Sequence, residues 1–364
     1  MGKKKVIVVV TSKLYLAGIT TVLLNIANIT KDQFNLTFAL AESGDPSIIE
    51  QLREIGEVLI LPSRQHHLLL YSYQLKKLMK QGHFDIAHIH GNTATMVLDL
   101  FPAYLCGISK RITHRHSCAP QPKIKQLTLG RIMNKLVTDP VACSKAAGEM
   151  LYNKSFTVIN NSIDCEKFRY REDNRLRIRS EYGIPQDAFV IGHIGRFSEE
   201  KNHKRLISIF AEISKQKTET FLILCGTGET LENCQKLVDE LQLQKLVVFT
   251  GEIVNPEAYY SAMDVFVLPS FFEGFPLVGV EAQANGLPCV FSDTITKETR
   301  ILDESHYISL TSSDVEWAQD IIKCDKETDR NSSRTLRRIQ AMEKVKKAGY
   351  DYETMKEQVL KLYE

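Results

Sequence analysis

The chain has 364 residues, more than one ordinary hydrophobic core organises, and this length favours two domains. Its hydrophobic fraction of 43% and charged fraction of 25% are typical of a globular protein. The formal net charge is only +2, which excludes nucleic-acid binding through bulk electrostatics.

The amino-terminal segment MGKKKVIVVVTS combines basic residues with a short apolar run. The run is too short for the core and cleavage site of a signal peptide, and it predicts a first β-strand instead. No stretch approaches about 18 consecutive apolar residues, so no transmembrane helix is expected. The eight cysteines form no C-x-x-C pair, which indicates reduced thiols rather than disulfides or a zinc site. We expect a cytoplasmic protein, with peripheral association on the inner face of the membrane left open.

Short apolar, β-branched runs alternate with amphipathic helical patterns in the first half of the chain. The runs are KVIVVV, FNLTFALA, EVLILP, DIAHIH, KRITHRH, DPVACS and FTVINN. A helical pattern between the first two has apolar residues at Ile19, Val22, Leu23 and Ile26. Such alternation predicts βαβ units around a parallel sheet.

The second half repeats this plan, with strand candidates FVIGHIGRF, TFLILCGTG, KLVVFTGE, DVFVLPS and LPCVFSD. The sequence therefore predicts an α/β protein with two Rossmann-like domains facing across a cleft. We assign residues 1–165 to the first domain, 166–186 to a linker and 187–340 to the second domain. Residues 341–364 are expected to form helices that pack back at the domain junction. Ligands of such sheets bind beyond the carboxyl ends of the strands.

Two glutamates eight positions apart, Glu273 and Glu281, flank a glycine and a proline in FFEGFPLVGVE. Pro276 is expected to open a helix, whose free N–H groups and dipole suit an anion. Gly274 allows close approach of a ligand to the backbone. Glu281 would lie roughly 7–8 Å beyond Pro276 along the helix. The spacing suits both ends of a nucleotide-sugar, with the diphosphate at the helix start.

A second cluster follows another predicted strand, in GHIGRFSEEKNHKRL. Arg196 and Lys201 lie in its strand-to-helix turn, where two cations suit a diphosphate. No Asp-x-Asp occurs in the sequence, so the cations rather than a metal are expected to supply the positive charge. Gly226 and Gly228 form a further strand-to-helix turn, which by itself is weak evidence for a ligand.

Several of these motifs together resemble a known family. RFSEEKN, GTGE, FTGE and PSFFEGFPLVGVEAQANGLPCV are similar to the retaining nucleotide-sugar glycosyltransferases of family 4, which have the GT-B fold. The resemblance covers nearly the whole chain and is closest in kind to bacterial exopolysaccharide and capsule enzymes. YLAGITTVLLNIA resembles the family's glycine loop, with Gly18 in place and Ala17 where the family often has a second glycine.

The resemblance implies roles for individual residues. Arg196 and Lys201 would hold the leaving diphosphate, Glu273 the transferred sugar and Glu281 the ribose, while His90 would lie near the anomeric carbon. Configuration would be retained, with a donor phosphate oxygen taking the acceptor proton on the same face. The donor would be a UDP-hexose or UDP-N-acetylhexosamine, with GDP-mannose left open, and the acceptor a lipid-linked saccharide. No cofactor or metal is expected. The remaining donor-binding positions are Gly18, Gly226, Gly274, Phe275, Pro276 and Leu277.

Two His-x-His pairs fall on predicted neighbouring strands, and alternation places each pair on one face. His90 and His116, at the strand ends, are the candidate functional members, with His116 on the acceptor side. For His88 and His114, a packing role in the core is an alternative. A zinc site is an alternative for such pairs, although no further ligand follows at a later strand end.

Other classes share parts of this pattern. A nicotinamide oxidoreductase requires G-x-G-x-x-G after the first strand, which TSKLYLAGITT lacks. A two-lobed solute-binding protein would carry an export signal. A GT-B nucleotide-sugar epimerase, or a nucleotide-sugar-binding protein without transfer activity, stays an alternative.

The segment SCAPQPKIKQLTLGRIMNKLVTD carries four cations among apolar residues, Lys123, Lys125, Arg131 and Lys135. It could rest on an anionic membrane and admit a lipid-linked acceptor. A solvated helix with a partly buried face fits the pattern almost as well.

Overall fold

The computed structural model describes residues 2–15, 18–117, 123–327 and 333–364. Ala17 and the 118–122 part of the basic segment lie outside these ranges. The chain forms two compact units. One combines Met1–Ser162 with Tyr352–Glu364, and the other is Ile163–Asp351.

The first unit is built on a parallel sheet, in which seven strands of the described ranges have the order β3-β2-β1-β4-β5-β6-β7. Its strands are β1 (Lys5–Val10), β2 (Asn35–Leu40), β3 (Glu57–Ile60), β4 (Ile86–Gly91), β5 (Lys110–Arg115), β6 (Asp139–Ala142) and β7 (Thr157–Val158). Its helices are α1 (Gly18–Thr30), α2 (Pro46–Ile55), α3 (Leu68–Gly82), α4 (Val97–Leu105), α5 (Lys123–Leu136), α6 (Lys145–Glu149) and, at the end of the chain, α14 (Tyr352–Tyr363).

The burial of β1 explains its uninterrupted apolar sequence. Val6–Val10 is buried on both faces of the sheet, as expected for a central parallel strand covered by helices. On one face, Val8 joins a core that includes Phe38 and, from α14, Met355 and Val359. The last helix of the chain therefore completes the core of the first unit.

The second unit repeats the architecture with six described strands in the order β10-β9-β8-β11-β12-β13, again parallel. They are β8 (Phe189–Ile194), β9 (Thr220–Cys225), β10 (Val247–Gly251), β11 (Val265–Leu268), β12 (Cys289–Ser292) and β13 (His306–Ile308). The helices are α7 (Glu172–Glu181), α8 (His203–Gln216), α9 (Leu231–Glu240), α10 (Pro256–Ala262), α11 (Leu277–Ala284), α12 (Asp314–Glu327) and α13 (Ser333–Lys347).

The order of the strands determines where the candidate motifs lie in each sheet. In each sheet the order reverses beside the first strand of its unit, between β1 and β4 and between β8 and β11. Loops diverge at such a reversal and leave a crevice at the carboxyl ends of the strands. The loops after β8 and β11 carry the second-unit motifs, and β4 carries His90. The predicted α/β class with two Rossmann-like sheets is confirmed.

Residues 166–186, predicted as a linker, lie within the second unit. Arg175 and Arg179 of α7 form ion pairs of 3.2 and 2.8 Å with the buried carboxylate of Asp264. The same carboxylate accepts a hydrogen bond of 2.8 Å from the N–H of Val190 at the start of β8. Of the predicted terminal helices, residues 341–351 belong to the second unit and 352–364 to the first. Within the described ranges, no helix has the length and apolar composition needed to cross a membrane.

Candidate functional site

The turn after β8 presents the first predicted cation. The guanidinium of Arg196 is 68% exposed and lies 3.2 Å from the carboxylate of Glu229, which is itself 55% exposed. Water screens such a pair, so it contributes little to stability. Phe197, next in the chain, is fully buried, and its N–H donates to the carbonyl of Thr227 at 2.9 Å. The backbone is therefore anchored while the Arg196 head group is free to exchange partners.

The glycines of the GTG turn hold this loop in place. A Cβ atom at Gly226 would lie 2.1 Å from the carbonyl oxygen of Gly195, and one at Gly228 would lie 2.2 Å from that of Phe197. Their φ angles of +138° and +153° also favour glycine. The turn after β9 thus packs backbone against backbone on the Arg196 loop, which no larger residue would allow.

Lys201 and Glu273, 72 positions apart, meet directly. The Lys201 ammonium lies 2.7 Å from Oε1 of Glu273, and their side chains are 20% and 10% exposed. The Ser270 hydroxyl donates to the same oxygen at 2.7 Å. The two loops are also joined through their backbones, because the N–H of Phe271 donates to the carbonyl of Glu200 at 2.8 Å. The loops after β8 and β11 therefore meet at Lys201 and Glu273.

Two buried histidines, which no sequence motif marks as functional, lie behind Lys201. The Nδ1 atom of His193 is 2.8 Å from the carbonyl oxygen of Val267, so it carries the proton. The ring of His203 stacks on Phe197 and meets His193 edge to face, with centroids 4.0 and 4.5 Å apart. Burial lowers the pKa of His193 to about 4 and that of His203 to about 2. Both rings are therefore neutral and add no charge next to the lysine.

The helix after Glu273 begins at Leu277, and Pro276 is its cap residue with φ −77° and ψ 96°. The predicted start at Pro276 was therefore wrong by one residue, because the extended ψ of the proline keeps it outside the helix. The first N–H groups of α11 have no partners within the helix, as at any helix start. The ring of Phe275 is buried and stacks on Tyr350 at 5.4 Å, which fixes the entry to the helix.

Glu281, in the second turn of α11, is partly buried. Its Oε2 atom accepts a hydrogen bond of 2.8 Å from the hydroxyl of Tyr260, which is fully buried. Burial raises the pKa of Glu281 to about 7, against the opposing effects of the Tyr260 hydrogen bond and the Lys167 charge. The carboxyl group therefore changes charge near neutral pH. Tyr260 was missed by sequence reasoning, since α10 holds no motif.

In the first unit, four histidines form a stack on β4 and β5. Neighbouring ring centroids lie 4.2 to 5.5 Å apart. Nδ1 of His90 lies 2.9 Å from Nε2 of His116, and Nδ1 of His88 lies 2.8 Å from the hydroxyl of Tyr363. The prediction that each pair shares one face is confirmed. Gly18 begins α1, after the neighbouring strand β1.

All four rings are buried, and five of their nitrogens have no hydrogen-bond partner among the described residues. These are Nε2 of His88, Nε2 of His90, both nitrogens of His114 and Nδ1 of His116. A buried polar atom without a partner costs about 1–3 kcal/mol. Burial lowers the pKa of His88 and of His116 to about 3, so these rings are neutral.

Three of these histidines could in geometry hold a metal ion. One ring nitrogen from each of His88, His90 and His114 lies within 4.8 Å of the others. Among the described residues, however, no carboxylate forms a hydrogen bond or ion pair with any of the four rings. A buried divalent cation would lack compensating negative charge there, which is costly.

Several known proteins are similar to this chain in sequence. Residues 174–333 match the family model described as glycosyl transferases group 1. The chain is 28% identical to the putative glycosyltransferase EpsF of Bacillus subtilis over 88% of each chain. It is 26% identical over 72% of each chain to an Escherichia coli UDP-Gal:α-D-GlcNAc-diphosphoundecaprenol α-1,3-galactosyltransferase.

A similar fold occurs in the crystal structure of Anabaena HepE in complex with UDP, with a TM-score of 0.83, 18% identity and 99% of each chain covered. HepE has also been solved with UDP-glucose. The two parallel sheets, the loops after β8 and β11, and these similarities together identify the class of protein. The chain is a glycosyltransferase with the GT-B fold.

Proposed function

We propose that the chain transfers a sugar from a UDP-sugar to a lipid-linked saccharide, with retention of anomeric configuration, in the synthesis of a bacterial surface polysaccharide. The observation that carries the proposal is the contact between Lys201 and Glu273, which joins a cation suited to a diphosphate with a carboxylate suited to sugar hydroxyls. The similarity to HepE, solved with UDP and UDP-glucose, supports a UDP-sugar donor. The similarity to the Escherichia coli galactosyltransferase supports both a UDP-sugar donor and a diphospholipid-linked acceptor. The motif resemblance supports family 4 and hence retention.

At the donor diphosphate, Arg196 and Lys201 provide the positive charge. Arg196 can leave its exposed partner Glu229, and Lys201 is already positioned by Glu273. As the bond between the anomeric carbon and the phosphate oxygen breaks, its electron pair stays with the diphosphate. Preorganised cations stabilise that developing charge, so no divalent metal is required for departure.

The other bonds of the reaction follow from the same placement. The acceptor hydroxyl attacks the anomeric carbon on the face that the diphosphate leaves, and its proton passes to a donor phosphate oxygen. The backbone N–H groups of Gly274, Phe275 and Leu277, around the start of α11, bind the donor together with Glu273. Glu281 accepts hydrogen bonds from the ribose hydroxyls, and its ionised form accepts them more strongly than its protonated form.

His90 is proposed to contact the transferred sugar near its anomeric carbon. Its Nδ1 atom is occupied by His116, and its Nε2 atom is buried without a partner among the described residues. A sugar hydroxyl would satisfy Nε2 once substrate binding makes the atom accessible. His116 then positions the ring from the acceptor side.

The test is a thermal-shift screen of nucleotide-sugars, followed by turnover with a diphospholipid-linked saccharide. We expect UDP-sugars to raise the melting temperature and sugar transfer to require the acceptor. Conversion of the donor to its epimer without acceptor would favour an epimerase. Binding without either reaction would favour a nucleotide-sugar-binding protein.

A further inference from the structure

Helices α3 and α4 expose large apolar side chains to solvent. Leu69 is 88% exposed and Tyr73 is 65% exposed. Further exposed apolar side chains on the two helices are Leu68, Leu70, Phe101, Tyr104 and Leu105. Single exposed apolar residues are common, but such a concentration on adjacent elements marks an interaction surface.

Apart from Leu68 in the first turn, the exposed residues of α3 lie on one side of the helix. Its buried residues Tyr71, Leu75 and Met79 repeat every fourth position and face the core. Outward positions are Leu69 and Tyr73 in the amino-terminal half and then exposed lysines in the carboxyl-terminal half. These lysines are Lys76, Lys77 and Lys80.

The second helix continues the same surface. Phe101, Tyr104 and Leu105 are spaced as neighbours on one side of α4. The helices pack together, since the Tyr71 hydroxyl donates to Asp99 at 2.7 Å and Cys106 Sγ contacts the carbonyl of Lys76 at 3.6 Å. Because Tyr71 pairs with Asp99 and the later residue Lys76 with Cys106, the two helices run parallel. We call this surface, formed by the exposed residues of α3 and α4, the α3–α4 face.

The charge on this surface has one sign. α3 contains three lysines and no carboxylate. The one carboxylate of α4, Asp99, is fully buried and lies 3.0 Å from the Arg64 guanidinium. At the end of α4, the guanidinium of Arg111 lies 5.6 Å from the ring of Tyr104. An apolar patch bordered by cations complements a bilayer with anionic head groups.

We propose that the α3–α4 face docks on an anionic lipid bilayer, with Leu69, Tyr73 and Phe101 entering the head-group region and the lysines contacting lipid phosphates. A second copy of the chain is a poorer occupant, because a two-fold contact would bring like charges together. This docking does not depend on the transfer reaction, and its test needs no enzymatic activity.

The basic segment noted in the sequence is a separate candidate for the same contact. Of its four cations, Arg131 and Lys135 lie on described, exposed positions of α5, while the side chains of Lys123 and Lys125 lie outside the described residues. The pair Arg131 and Lys135 therefore provides a comparison variant.

The experiment is flotation with vesicles of phosphatidylcholine containing or lacking phosphatidylglycerol, at low and high salt. We compare the wild type with an apolar variant (Leu69→Ser, Tyr73→Ser, Phe101→Ser) and a charge variant (Lys76→Gln, Lys77→Gln, Lys80→Gln). A matched control removes three exposed lysines elsewhere, Lys145, Lys236 and Lys323. Melting curves confirm that each variant is folded.

The wild type should float with anionic vesicles at low salt. Each lysine near the surface changes partitioning by about fivefold, so the charge variant should lose about 100-fold. The apolar variant should also lose binding, whereas the matched control should keep it. The proposal is overturned if the wild type does not float, or if the α3–α4 variants float like the wild type. It is equally overturned if the Arg131→Gln, Lys135→Gln variant alone loses binding, or if the apolar variant converts a dimer into a monomer.

Discussion

The charge state of Glu281 predicts how nucleotide binding depends on pH. Its pKa is raised by burial to about 7, so the carboxyl group is roughly one-tenth ionised at pH 6 and nine-tenths ionised at pH 8. If the ionised form accepts hydrogen bonds from ribose, UDP should bind about tenfold more tightly at pH 8 than at pH 6, or about 1.4 kcal/mol.

Titration calorimetry with UDP from pH 5.5 to 8.5 measures this slope. Glu281→Gln removes the ionisation and keeps an oxygen for the Tyr260 hydroxyl, so it also reports any titration of the UDP phosphate itself. Glu273→Gln is the second control, because Glu273 is assigned to the transferred sugar, and UDP carries no transferred sugar. Wild type and Glu273→Gln should show the steep slope and Glu281→Gln a shallow one. Equal slopes in all three proteins would refute the ribose assignment.

The same shift has a consequence for stability. In the folded protein the pKa of Glu281 lies above its ordinary value of 4.5. The contribution of this carboxyl group to the free energy of unfolding is therefore fully present below pH 4.5 and is lost as the pH rises through 7. Glu281→Gln should therefore match the wild type near pH 4.5 and exceed it at pH 8. The gain should be about 1–3 kcal/mol in chemical denaturation, after allowance for partial exposure. A Glu281→Gln protein that is less stable at pH 8 would contradict the burial argument.

Three further predictions follow from the second unit. Arg196→Ala and Lys201→Ala should each lower kcat by about 10²–10³, and values within threefold of wild type for both would remove them from the reaction. Gly228→Ala should destabilise the unit by about 2–4 kcal/mol, because its Cβ would lie 2.2 Å from the Phe197 carbonyl oxygen. Gly251→Ala is its control, with a φ of +71° but no atom within 4 Å of the added Cβ, and an equal loss in both would count against the steric argument. Activity should survive EDTA, and full loss restored by manganese or magnesium would contradict catalysis by protein cations alone.

How much of the site the sequence predicts depends on how local each feature is. Arg196, Lys201 and Glu273 follow apolar strands, and strand ends of one parallel sheet meet at one edge. Their approach to one another was therefore expected, and the structure shows it for Lys201 and Glu273, while Arg196 contacts Glu229 instead. The start of α11 was predicted to within one residue, because a proline before an apolar periodic segment marks a helix start. These features depend on chain-local patterns and on topology.

Features that depend on tertiary packing were not predictable in this way. The hydrogen bond between Tyr260 and Glu281 joins two helices, and it changes the carboxyl group from an ordinary acid into one that titrates near neutral pH. The charged stretch around α7 suggested a linker, yet two of its arginines are buried against Asp264. The apolar run at the start of α3 resembles core sequence, although the structure exposes it.

A single reaction followed by NMR reports whether the protein transfers a sugar from a nucleotide-sugar and whether it retains the anomeric configuration. UDP-glucose, UDP-galactose and UDP-N-acetylglucosamine are each incubated with a soluble diphospholipid-linked saccharide, and the anomeric protons of donor and product are recorded over time. We predict that one donor is consumed only when the acceptor is present and that an α-linked donor gives an α-linked product. A β-linked product would exclude retention, and donor conversion at the same rate without acceptor would exclude transfer to that acceptor.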